Sequence, residues 1–195
     1  MAVKIFFCYA HADEDLLMKL KLHLSPLLNQ RLIDVWHDRN ISAGSDWEQE
    51  IKEQLNSAQI ILLLVSPDFM ASKYINNVEL KRAIERHQRG EARVIPVILR
   101  HVYWQGEPLG KLQALPKDGK PVKSWTDVDE ALYGVAEGIR TVVEKLIASP
   151  QAPVRNIAKQ MEIEKNSSDL TDAQSLTEIS RPSTLPPNTN RRSVI

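Results

Sequence analysis

Apolar residues fall along this chain in two alternating textures. Short, nearly unbroken apolar runs of strand length occur at Val3–Tyr9, Leu32–Trp36, Gln59–Val65 and Arg93–Leu99. All four predict strands, and the first and third lack the in-out alternation of a half-exposed sheet and suit strands buried on both faces, as in a parallel sheet. Between them apolar residues recur every three or four positions: Leu16, Leu20, Leu24 and Leu27; Trp47, Ile51 and Leu55; Val78, Leu80, Ala83, Ile84 and His87; and, near the end, Val128, Leu132, Val135, Ile139, Val142 and Leu146. Each set predicts one apolar helix face. A fifth, short edge strand is expected at Pro121–Trp125, after a long connection over 100–120 that carries Pro, Gly and Trp104.

Local punctuation supports these boundaries. Asp13 is placed to cap the first helix, and Ser25-Pro26 predicts a kink or a restart with Ser25 as cap. Ser45-Asp46-Trp47-Glu48 has the capping-box form, and a helix over 76–89 is expected to stop at Gly90. Pro96 is the weak point of the fourth strand, because proline gives the ladder no donor. Strands alternating with helices predict an α/β fold of the flavodoxin-like class. It is a doubly wound, five-stranded parallel sheet of order 2-1-3-4-5 with helices on both faces. Ligands of such sheets bind at the carboxyl edge, at the switch point between strands 1 and 3, so Ala10-His11 and Ser66-Pro67 are expected to flank the crevice. The domain is expected to span 1–149. From 150 to 195 glycine and aromatics vanish and Ser, Thr, Asn, Pro and charge dominate, which predicts a disordered tail or linker.

Charge and cysteine content narrow the function classes. Lys+Arg and Asp+Glu both number 25 in 195 residues, so no net field favours nucleic acid or an anionic membrane surface. The single cysteine, Cys8, excludes an intramolecular disulfide and fits a reducing cytoplasm. The amino-terminal apolar run meets acids too soon for a signal peptide, and no segment has membrane-spanning length.

Candidate chemistry is sparse when residues are taken one at a time. Glu79 reads from spacing as a solvated helix acid helped by the dipole and by Arg82, although it lies one short turn beyond the crevice strand. His11, Asp13, His37 and Asp38 follow neighbouring strands without metal-ligand spacing, and no metal site is expected. Cys8 points into the core, Ser66 lacks a nucleophile elbow, and no Gly-rich phosphate cradle follows strand 1. A phosphoacceptor receiver would want aspartate where Ser66 stands. The four tryptophans read as packing anchors.

Taken together, the segments resemble a bacterial TIR (Toll/interleukin-1 receptor) domain. They are FFCYAHADED, LIDVWHDRNISAGSDWEQEI, LNSAQIILLLVSPDFMASKYINNVELKRAIERH, GEARVIPVILR, LQALPKDGKPVKSW and DVDEALYGVAEGIR, covering roughly 1–147 in order. The resemblance implies an NAD+-cleaving enzyme that releases nicotinamide and ADP-ribose or its cyclic form, in bacterial stress or antiphage signalling. Matching S-P-D-F-x-x-S-x-Y-x-x-x-x-E puts the required glutamate at Glu79, with Phe69, Ser72 and Tyr74 around it. Tyr9, Ala10, His11, Asp38, Ser42, Ser66 and Tyr74 would contact substrate, and Asn76 and Asn77 would reach ribose hydroxyls or cap the helix. Some NAD-cleaving members carry arginines where this chain has Ala10 and His11. No cofactor is implied beyond NAD+ as substrate. Self-association through the loop His37–Gly44 is implied as well, and a non-catalytic TIR–TIR scaffold is the alternative.

Overall fold

The computed structural model describes residues 2–148, other than 43, 74 and 107 and the side chains of 76 and 77. Four parallel strands, β1 (Val3–Cys8), β2 (Ile33–Trp36), β3 (Ile60–Val65) and β4 (Arg93–Ile98), form one sheet of order β2-β1-β3-β4. The register pairs Ile5 with Val35 on one side and with Ile60 on the other. All six residues of β3 are fully buried, as an uninterrupted aliphatic run requires. At about 1.5–3 kcal/mol per buried Ile, Leu or Val side chain, this strand is a principal source of stability.

The helices divide between the faces. One apolar layer joins Leu16, Leu17, Leu20 and Leu24 of the first helical segment to Leu132, Val135 and Ile139 of the last; the other gathers Ile51, Leu55, Phe69, Leu80 and Ala83. The first segment is α1 (Glu14–His23) followed by α2 (Ser25–Asn29), so the chain does restart at Ser25-Pro26. Ser25 is not the cap: its hydroxyl donates to the Leu22 carbonyl (2.7 Å), and Leu24 holds the cap position. Helix α3 (Trp47–Ser57) is capped by Asp46, which accepts from the Gln49 amide (3.1 Å). Helix α6 (Val128–Ala148) follows the expected stripe.

Two further expectations need correction. Pro121–Trp125 is not a fifth strand but contains a 3-10 turn, Val122–Ser124. Pro121 supplies no donor, Val122 is fully buried, and the Lys123 amide donates to the Leu99 carbonyl (3.0 Å), holding the segment across the strand end. The outer edge of β4 is instead bridged at one point by Leu115, whose amide donates to Pro96 and whose carbonyl accepts from Ile98, both at 2.8 Å. Pro96 is tolerated because its missing N–H would face this edge rather than β3.

The helix expected over 76–89 is likewise remodelled. Helix α4 (Pro67–Ala71) follows β3 at once, and a π-helical turn over Ile75–Glu79 leads into α5 (Leu80–Gln88). Gly90 takes the expected left-handed conformation beyond it, with φ of 72°. Residues 150–195, expected to be a tail, lie outside the described residues. Among the described residues no helix is long and apolar enough to cross a membrane.

Candidate active site

The carboxyl ends of β1 and β2 and the π-helical turn converge on one cleft. Parallel strands deliver their following residues to the same edge, so Tyr9, Ala10 and His11 after β1 meet Asp38 after β2. Together with Glu79 they line a cavity of about 230 Å³. Phe6 and Phe7 of β1, Trp47 and Ile51 of α3, and Ser72 and Ile75 complete its wall.

Glu79 is the buried acid of this cleft, with 7% of its surface exposed. It lies one and two turns before Ala83 and Arg86 and therefore shares their sheet-facing side. Burial, and to a lesser degree the negative charge of Asp38, raise its pKa from 4.5 to about 7, against the lowering effect of a hydrogen bond from Cys8. That bond runs from the Cys8 thiol to Glu79 Oε2. Burial above all, and then the neighbouring carboxylate, push the Cys8 thiol well up, so it is a donor and not a thiolate nucleophile.

Across the cleft Asp38 is held from two sides. Tyr9 Oη donates to its Oδ1 (2.7 Å), and His11 Nε2 lies 3.3 Å from its Oδ2. Burial and this hydrogen bond raise the Tyr9 pKa, keeping the phenol protonated. The loop beyond is tied down by Arg39, which forks onto Glu14 through Nε (3.0 Å) and Nη2 (2.7 Å). Buried His37 contacts Lys21 Nζ through Nε2 (2.9 Å). Lysine can only donate, so Nε2 accepts and the ring is neutral. Burial, followed by the Lys21 charge, depresses its pKa in the same sense.

Of the residues the resemblance pointed to, Tyr9, Ala10, His11, Asp38 and Glu79 share the cleft, and Ser72 joins them. Three others take different positions, the first being Phe69, which is fully buried in the apolar layer with Ile51 and Leu55 and does not line the cavity. Ser66 is fully buried and does not line the cavity; it caps α4 by accepting from the Phe69 amide (3.1 Å) and donates to Asp13. Ser42 is exposed in the loop after β2, also outside the cavity lining. Tyr74 lies outside the described residues, as do the side chains of Asn76 and Asn77. Asp13 is the amino-terminal flank of α1 but makes no side-chain cap. It is buried and accepts from Arg100 Nε (2.8 Å), while Arg100 also pairs with Asp68. That network braces the floor of the carboxyl edge. Among the described residues no group of three or more His, Cys, Asp or Glu could hold a metal ion.

Sequence reasoning missed the Cys8–Glu79 contact and the contribution of α3. The first had no periodic signal, since a cysteine in an apolar run reads as core. The second was partly visible, because Trp47 and Ile51 lie on the predicted inner face of that helix.

The chain is 48% identical over 149 residues to the uncharacterised protein y4lF of Sinorhizobium fredii, an alignment covering 76% of this chain and 46% of that protein. It thus spans about half the length of the curated relative it matches. Among solved structures, the TIR domain of the Toll-related receptor TRR-2 from Hydra magnipapillata aligns with a TM-score of 0.45 at 17% identity, covering 71% of this chain and 96% of that one. The TIR domain family matches residues 5–132, a span that takes in β1 from Ile5 onward, the other three strands, the cleft and Glu79, and the chain belongs to that family.

Proposed function

We propose that this domain cleaves the nicotinamide–ribose bond of NAD+, with Glu79 as the catalytic carboxylate. The observation that carries the reading is a buried carboxyl, poised near neutrality, in a cleft at the carboxyl edge of the sheet. The bond between ribose C1′ and the pyridinium nitrogen breaks, and its electron pair leaves with nicotinamide. The ring departs neutral, so no general acid is required. Positive charge then develops on the ribose, and the Glu79 carboxylate stabilises or transiently traps it. Water, or the adenine of the same molecule, takes up C1′ to give ADP-ribose or a cyclic form. A role in bacterial stress or antiphage signalling accords with this chemistry.

The cleft is smaller than the roughly 300–1,000 Å³ of pockets that enclose drug-sized ligands. At about 230 Å³ it suits the nicotinamide riboside end of the dinucleotide. The remainder extends over the open edge, where a neighbouring copy can cover it, and turnover is expected to rise on self-association. The decisive assay follows nicotinamide release at high protein concentration. Wild type should turn over NAD+ and Glu79→Ala should not; equal release from both overturns the assignment.

The exposed residues Arg39, Asn40, Ser42 and Gly44 of the loop after β2 favour one other reading, a non-catalytic module that signals through TIR–TIR contact. It predicts assembly by light scattering with no loss of NAD+ under any assembling condition.

A further inference from the structure

We infer that Cys8 is a positioning residue for Glu79: its thiol grips carboxylate oxygen Oε2 from the core side and aims the carboxyl into the cleft. This rests on the assignment of Glu79 as the catalytic group. Cys8 closes β1 and is packed among Phe6, Ile61, Leu63 and Val65, with 1% of its surface exposed. It does not line the cleft, whereas Glu79 does. The thiol therefore acts on the chemistry through the carboxylate and has no path to substrate.

The contact does two things. It fixes the orientation of a side chain that leaves a π-helical turn with three rotatable bonds. It also gives the ionised carboxyl a donor inside an apolar layer, where a bare carboxylate oxygen is costly. Among the described residues the other titratable groups lining the cleft lie across it: Asp38, whose charge disfavours a second carboxylate, with Tyr9 and His11 bonded to it. None of them replaces a donor on the core side. A sulfur donor is weaker than a hydroxyl, so the contact orients Glu79 while offsetting only part of the effect of burial on its proton affinity.

The test uses Cys8→Ala, which removes the donor, and Cys8→Ser, which restores one at nearly the same volume. The carboxyl carbon of Glu79 is titrated by NMR in each folded chain, a readout independent of turnover, and the pH profile of nicotinamide release is recorded beside it. Cys8→Ala is expected to raise the Glu79 midpoint by roughly half a pH unit to one pH unit, with the acid limb of activity following and kcat falling about tenfold. Cys8→Ser is expected to return the midpoint to the wild-type value or below, with recovery of kcat. Thermal melts separate this pattern from simple loss of packing, which would lower stability without moving the titration. An unchanged midpoint in Cys8→Ala overturns the inference even if Glu79→Gln is inactive. A Glu79→Gln protein that cleaves NAD+ like wild type instead overturns the functional assignment, whatever Cys8 does to the titration.

Discussion

Replacing Glu79 by glutamine keeps the shape of the side chain and removes its charge, and the structure sets both the size and the pH dependence of the effect on stability. In the folded domain burial moves the carboxyl pKa from 4.5 to about 7. Below the unfolded value both states are protonated and Glu79 adds no ionic penalty. Between the two values the unfolded chain ionises while the folded one keeps its proton, so the unfolded state binds fewer protons and stability falls as pH rises. Above the folded value both states are ionised and the loss is complete. Each tenfold difference in proton affinity between the two states is worth about 1.4 kcal/mol, and the full loss amounts to about 3 kcal/mol.

Glu79→Gln, whose amide oxygen can still accept from Cys8, should be as stable as wild type near pH 4 and about 3 kcal/mol more stable near pH 8. For a domain of this size that corresponds to a melting temperature higher by on the order of 10 °C. Paired urea titrations across the range measure it, the midpoint moving with the slope unchanged. A glutamine variant no more stable than wild type at alkaline pH would refute the reasoning, as would a difference that does not vary with pH. The expected outcome, an inactive protein that is more robust, is the usual sign of a group kept for function at a cost in stability.

Further outcomes follow from other buried ions. Arg86 donates to the carbonyls of Leu55 (2.5 Å), Ala58 (2.7 Å) and Glu91 (3.2 Å), so Arg86→Met strands these acceptors and should cost about 3–5 kcal/mol by urea unfolding. Ser66→Ala removes the α4 cap and a donor to Asp13, and should lower stability by about 1–3 kcal/mol in the same assay. Asp38→Asn removes a negative charge that raises the Glu79 pKa, so the acid limb of NAD+ cleavage should move to lower pH; a limb that stays in place would show that Asp38 is not felt at Glu79.

The sheet is legible in the sequence because its central strands, β1 and β3, are apolar runs that burial on both faces satisfies best, and the other two runs pair beside them at the edges. The lack of a fifth strand is not, because the short segment Pro121–Trp125 has the apolar ends of an edge strand, whereas pairing depends on available backbone groups. Pro121 cannot donate, and Leu115, from a stretch with no strand pattern, reaches the β4 edge first. Asp13 reads as a cap for the same reason that any acid before a helix does; its carboxylate is drawn instead to Arg100, 87 residues away, a distance no local rule spans. The cleft lies between these extremes. Strand order predicts that residues after β1 and β2 meet, while the inward turn of Glu79 is hidden, because pattern reading assigns charged residues to the outside.

That assumption fails twice on one helical face, and the two failures differ in kind. Glu79, Ala83 and Arg86 are all buried. The charge of Arg86 is matched by three carbonyls and by Glu91 Oε2 (3.5 Å), so its burial is explained by the way it ties α5 to the end of α3 and the start of β4. Asp13 is matched similarly by Arg100 and Ser66. Among the described residues Glu79 receives a thiol, a weak donor, and its pKa is raised by burial and by the facing Asp38 carboxylate. An ion whose burial served only the fold would have acquired compensating partners, as Arg86 and Asp13 have. A carboxyl left undercompensated beside an open cleft is one whose remaining stabilisation is available to a positive charge arriving from outside, which is what a ribosyl cation would bring.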